Sequence, residues 1–235
     1  MNAVGIVAAL TLESRPLGVL TDGALLIVSG VGMAAAREGA RQLAAAGAKA
    51  LVSWGLAGAL DPALAAGTLV LASEVVSPEG GRSLTARRWR EQLAAAIAGR
   101  HPLCCGRLLT TWEPIRSAAD KALAFRQTGA AAVDMESAAV AAVAADARLD
   151  FLVVRAIVDS AADTLPQAVI DATPTGTRAM HVATLLSSLA RSPGEVPGLI
   201  RLGSRYRVAA RALAAVATSG ALVPQAAGLA NGALS

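Results

Sequence analysis

Short apolar runs alternate along this chain with alanine-rich segments of helical periodicity, and that alternation restricts it to α/β architectures. Runs near residues 3–9, 24–28, 50–54, 68–76, 130–134 and 151–158 read as strands, and segments near 33–46, 85–99, 118–127, 136–147 and 178–190 read as helices. Strands separated by helical segments predict crossover connections and a largely parallel sheet. Aromatic residues make up only 3% of the 235 residues, so alanine, leucine and valine must fill the core. The length suits one catalytic domain with a substantial core.

Three carboxylates interrupt this apolar pattern where a sheet would bind a ligand. Val133 ends an apolar run, and Asp134, Met135 and Glu136 follow before a second alanine-rich segment. The run from Phe151 to Val158 ends at Asp159. In parallel α/β sheets, ligands bind just outside the carboxyl ends of the strands. A carboxylate buried there costs several kcal/mol unless a partner or ligand compensates it, so the placement points to function. Ser29-Gly30-Val31-Gly32 forms another such turn, between a strand and a helix, where backbone N–H groups suit an anion. Its Gly30-x-Gly32-x-x-Ala35 spacing imitates a dinucleotide fingerprint. The acidic residue that a ribose would need at the end of the next strand is missing. A non-catalytic dinucleotide-binding domain therefore ranks last among the functions considered.

These motifs occur together in one order. Ser29 to Gly32, Gly55-Leu56-Ala57-Gly58 with Asp61-Pro62 and Gly67, Val133 to Glu136, and Arg155 to Asp159 resemble the nucleoside phosphorylase and methylthioadenosine/adenosylhomocysteine nucleosidase superfamily over about residues 1–190. Within it the chain is most similar to the hopanoid-associated phosphorylases, which release adenine from adenosylhopane. The resemblance implies a nucleoside phosphorylase-like three-layer α/β/α fold around a twisted, mostly parallel mixed central sheet. It implies cleavage of an N-glycosidic bond in an adenosyl lipid during hopanoid side-chain biosynthesis, with inorganic phosphate as co-substrate and no cofactor. The alternative is hydrolysis of methylthioadenosine or adenosylhomocysteine by a nucleosidase. Such relatives are usually homo-oligomers.

By the same resemblance, Asp159 protonates the purine, as general acid catalysis of base departure requires, and Glu13 positions a nucleophilic water. Glu136 grips the ribose hydroxyls, with Met135 under the sugar face and Asp134 beside it. Ser29, Gly30 and Arg15 are expected to bind phosphate, with Arg116 a further option. Gly58, Trp112 and Val158 are expected to line the base pocket, with Glu113 nearby. Val158 and Leu56 stand where many relatives carry serine, which makes the pocket more apolar. The adjacent Cys104 and Cys105 give neither a disulfide framework nor a metal site, and no metal ligand set is apparent.

The net charge of +4 resides at the C-terminal end. From Arg191 onward five arginines face one acid, Glu195, while the preceding residues carry 16 basic and 16 acidic groups. A balanced body with two lysines argues against nucleic-acid binding. Residues 191–235 read as a basic extension after the break at Pro193-Gly194. In it, Leu199, Leu202, Tyr206, Ala209, Leu213 and Val216 share one helical face, opposite Arg201, Arg205, Arg207 and Arg211. That face could rest on an anionic membrane or pack on protein. No run suits a membrane span and the N-terminus reads as a strand, so the expectation is a cytoplasmic protein, peripheral on the inner membrane face if the helix docks there.

Overall fold

The structure, a computed structural model, describes residues 3–20 and 23–223. One mixed sheet runs through it. Its axis is made by two ten-residue strands, β3 (Ala50–Ala59) and β10 (Asp150–Asp159), paired in parallel along their length. β1 (Val4–Ala8) pairs in parallel with the first half of β3, and β9 (Ala132–Asp134) pairs antiparallel with its end. β2 (Ala24–Val28) extends the sheet beyond β1. β5 (Glu74–Val76) and β8 (Arg107–Thr110) continue it in parallel from β9, with β6 (Arg82–Leu84) antiparallel at that edge. On the far side of β10 lie β4 (Leu69–Val70), antiparallel, and then β7 (Leu103–Cys104), parallel to it.

Side chains alternate faces along a strand, and here the alternation fills two cores. Val7, Leu51, Val153 and Ile157 face α2 (Met33–Ala45) and α5 (Ser137–Asp146). Ile6, Val52, Trp54, Leu152 and Val154 face α3 (Arg87–Ile97) and α8 (Val196–Ala217). The result is a central mixed sheet flanked by helices on both faces. Of the smaller helices, α1 (Thr11–Ser14) follows β1, α4 (Ala118–Thr128) precedes β9, and α6 (Gln167–Ala172) and α7 (Val182–Arg191) follow β10.

Three expectations change. The run at 68–76 divides into β4 and β5, and β6, β7 and β8 add strands too short for periodicity to reveal. The strand expected at 50–54 continues through Gly55 and Gly58 to Ala59, because β9 and β10 supply hydrogen-bonding partners on both sides. The boundary placed at residue 190 is not a structural one. α8 carries Ala209, Ala212, Leu213 and Val216 into the same core as β3 and β10. Of the apolar face predicted for this helix, Ala209, Leu213 and Val216 are covered by the sheet, while Leu199, Leu202 and Tyr206 border a cavity. Among the described residues, no helix is long and apolar enough to cross one. Residues 224–235 of the predicted extension lie outside the described residues.

Because Leu213 is fully enclosed, truncating it should leave a cavity. Leu213→Ala is expected to cost about 2–5 kcal/mol in urea-induced unfolding. A loss below about 0.5 kcal/mol, as for surface sites, would return α8 to the status of an appendage.

Candidate active site

The carboxyl ends of β1, β3, β9 and β10 open into a cavity of about 370 Å³, within the roughly 300–1,000 Å³ usual for small-molecule sites. Glu13, Asp134, Met135, Glu136, Gly58, Val158 and Asp159 all border it. Leu10, Leu12, Leu56, Leu199 and Leu202 make much of the remaining wall, and no lysine or arginine lines it among the described residues.

Behind the carboxylates, Arg155 projects from the middle of β10 and is fully buried. Its Nη2 lies 2.6 Å from Asp134 Oδ2 and 3.4 Å from Glu136 Oε2, and it donates to Ser53 Oγ at 2.8 Å. Asp134 also accepts from Thr110 Oγ1 at 2.7 Å and from the Ser137 amide and hydroxyl. Its carboxylate is therefore engaged in fixing Arg155 and the start of α5. Glu136 Oε1 accepts from the Gly32 amide at 2.9 Å. Burial raises the Glu136 carboxyl to about 7, against Arg155 and with help from the neighbouring Asp134 and Glu13 charges.

Glu13 reaches the same cluster from α1. Its carboxylate accepts from the amides of Ala9, Leu10 and Leu56 at 3.2, 3.0 and 2.9 Å. Burial pushes this carboxyl above its ordinary range, opposed by Arg155 and these amides. The close fit explains Gly55. A Cβ there would stand 2.6 Å from Arg155 Nη1 and 2.7 Å from Glu13 Oε1, so only glycine leaves room.

Asp159 ends β10 after a register shift that bulges the strand at Val158. Its carboxylate lies against Gly58, where a Cβ would come within 3.2 Å of Oδ2. It forms a buried ion pair with Lys121 of α4. Burial raises the Asp159 carboxyl, and the Lys121 charge opposes that rise.

Other expected residues stand elsewhere. The amides of Ser29, Gly30, Val31 and Gly32 already donate to Ala8 O, Ala9 O, Thr177 O and Glu136, at 2.9, 3.0, 3.0 and 2.9 Å. Ser29 Oγ donates to Ala8 O and Gly30 O. The residues from Pro174 to Arg178 lie across this turn, and a Cβ on Gly30 would stand 2.5 Å from Gly176 O. The turn is closed by the protein's own backbone, so Ser29 and Gly30 offer no free N–H to phosphate here. Arg15 and Arg116 are exposed and do not border the cavity. Trp112 is 62% exposed. The bonds of Thr111 Oγ1 to Glu113 O and of its amide to Asp134 O hold a tight turn that presents Pro114 and Ile115 to the cavity instead. Arg155 as the hub, Lys121, and the α8 wall were not anticipated. Arg155 had a visible signal, a charge inside an apolar strand. Lys121 had none.

Sequence and fold comparisons identify the family and the fold. Residues 17–190 match the Phosphorylase superfamily. The chain belongs to that superfamily. It is an enzyme acting on nucleosides, of transferase or hydrolase type. The family fold extends over almost the whole chain. The methylthioadenosine/adenosylhomocysteine nucleosidase of Neisseria meningitidis, solved with methylthio-immucillin-A, is 17% identical with a TM-score of 0.71, covering 94% of this chain and 99% of that one. The futalosine hydrolase of Helicobacter pylori is 17% identical with a TM-score of 0.65, over 92% and 97%. No curated protein matches the chain in sequence.

The raised Glu136 carboxyl makes a prediction about stability. An unfolded glutamate titrates near 4.3, whereas the folded one holds its proton to about 7. Stability contributed by this group is complete below the lower value and lost as pH rises through the upper one. The unfolding free energy of wild type, relative to Glu136→Gln, should fall between those pH values and be level above. A difference independent of pH would contradict the raised value.

Proposed function

We propose that this protein cleaves the N-glycosidic bond of an adenosyl lipid, a nucleoside whose 5′ position bears a large apolar group, as adenosylhopane does in hopanoid side-chain biosynthesis. The observation that carries the reading is a cavity with carboxylates at one end and aliphatic walls elsewhere, extending to Leu199, Leu202 and Tyr206 of α8. A sugar that becomes cationic as the base leaves needs negative charge held in place around it. Arg155 stands as one cation among the carboxyls of Asp134, Glu136 and Glu13. A positive charge arriving beside them favours the ionised form of the two glutamates, whose protons burial retains. The aliphatic wall suits a substituent that water rejects.

In this scheme the C1′–N9 bond breaks with its electron pair moving to the purine. Asp159 gives its proton to N7, which lets the base depart neutral. Glu136 accepts hydrogen bonds from the ribose hydroxyls, and charge-assisted bonds of that kind are the strong ones. Met135 lies under the sugar, while Asp134 holds Arg155 in place.

The family resemblance carries phosphate as the acceptor. Two observations favour water. Among the described residues the cavity has no cationic side chain and the Ser29–Gly32 amides are engaged, whereas Glu13 is held by three amides beside the proposed sugar position. Its raised carboxyl is suited to take the proton of an attacking water. Free sugar and adenine are then the products.

The test is to incubate the protein with adenosine derivatives of increasing 5′ apolar length, with and without phosphate, and to follow adenine, free sugar and sugar phosphate. The expected outcome is faster adenine release with the long apolar substituent and free sugar in both buffers. Asp159→Asn should slow release by roughly 10² or more while remaining folded. Preference for unsubstituted adenosine would defeat the lipid reading, and sugar phosphate would identify phosphate as the acceptor.

A further inference from the structure

We infer that Lys121 is a positioning residue for the general acid: it fixes one oxygen of Asp159, turns the other toward the purine, and keeps the acid strong enough to release its proton. The inference rests on the role proposed for Asp159.

The geometry is unusually complete for one side chain. Lys121 is 0% exposed, on the inner face of α4. An ammonium has three donors, and all three are engaged. One goes to Asp159 Oδ2, one to Ser160 O at 2.9 Å and one to Asp163 O at 3.0 Å. A lysine needed only for packing would not require acceptors from three positions of one turn. The same turn is held from outside by Arg205 of α8, which pairs with Asp163. Asp163 in turn accepts from the Ser160 amide at 2.7 Å and from its hydroxyl. The segment from Asp159 to Asp163 is thus clamped between two cations on different helices. Asp159 itself lies between the main cavity and a smaller one of about 200 Å³ that Arg201 and Arg205 border.

The electrostatic consequence follows from the groups around the acid. Lys121 from α4, Asp163 from the turn, and Arg205 and Arg201 from α8 surround it, with Glu13 and Glu136 across the main cavity. Burial makes a carboxyl reluctant to ionise, and a nearby cation restores its acidity. Asp159 must be protonated to act, so activity should decline as pH rises through its pKa. Removing the Lys121 charge should move that decline to higher pH while making the acid weaker.

The experiment measures kcat/KM against pH for adenine release by wild type, Lys121→Gln, Lys121→Met and Asp159→Asn. Both lysine variants should move the descending limb up by about one pH unit or more. Lys121→Gln, which keeps a donor, should retain more of the rate than Lys121→Met. A lowered rate with the limb unmoved would overturn the proposal and leave Lys121 a folding residue. Should the single variants fail to fold, the double variant Lys121→Met/Asp159→Asn removes both charges of the pair. It should be as active as Asp159→Asn alone, because Lys121 acts only through Asp159. A tenfold further loss would overturn the proposal. Near-normal turnover by Asp159→Asn is a separate result, which removes the acid role on which the inference rests.

Discussion

Arg155 sets the terms for the rest of the molecule. A guanidinium in the centre of a buried strand cannot be left uncompensated, since an unpaired buried charge costs several kcal/mol. The chain meets that demand from separate elements: Asp134 at the end of β9, Glu136 at the start of α5, Ser53 within β3 and the Leu56 carbonyl beyond it. Glu13 on α1 completes the cluster electrostatically. Asp134 and Glu136 stand at element ends and Ser53 and Leu56 within β3, so the ion cluster and the docking of these elements are mutually dependent. Burial is why Glu13 and Glu136 keep their protons more firmly than solvated glutamates do, with the neighbouring Asp134 and Glu13 charges adding to the effect at Glu136.

Such a cluster suits a site that receives positive charge or a proton. In the proposed reaction a glycosidic bond breaking toward a sugar cation supplies that charge, and the carboxyls of Glu13, Asp134 and Glu136 border a largely aliphatic cavity. The second ion pair, Lys121 with Asp159, stands at the edge of the same cavity. The two clusters divide the labour by composition. In the proposed reaction the first, three carboxyls around one guanidinium, faces the sugar, and the second, Asp159 paired with Lys121, faces the base.

The glycines of β3 show how closely the backbone is drawn around these groups. Gly55 and Gly58 resemble turn residues in sequence, and Gly55-Leu56-Ala57-Gly58 reads as a loop. In the fold they remain in the strand, paired with β9 and β10, and only glycine fits because the space of a side chain is occupied by Arg155, Glu13 and Asp159. The turn at Gly30 gives the opposite lesson. Its glycines looked free to cradle an anion, yet the segment near Gly176 fills that position with backbone.

The sequence by itself determined the layers and the address of the site. The long apolar runs 50–54 and 151–158 read as central strands, and Asp134, Glu136 and Asp159 at strand ends border the cavity, since strand and helix periods are local properties of the chain. The apolar face of α8 was equally legible. Its destination was not, because a helix face carries no record of whether sheet, subunit or membrane will cover it. Only the tertiary structure decided that α8 closes the cavity, that Trp112 points away while Pro114 and Ile115 face in, and that the Ser29–Gly32 amides are already engaged. It alone joined Lys121 to Asp159, residues 38 positions apart in sequence. The physical reason is the same throughout: hydrogen bonds and ion pairs between distant segments depend on how elements dock, and local sequence carries no signal for docking.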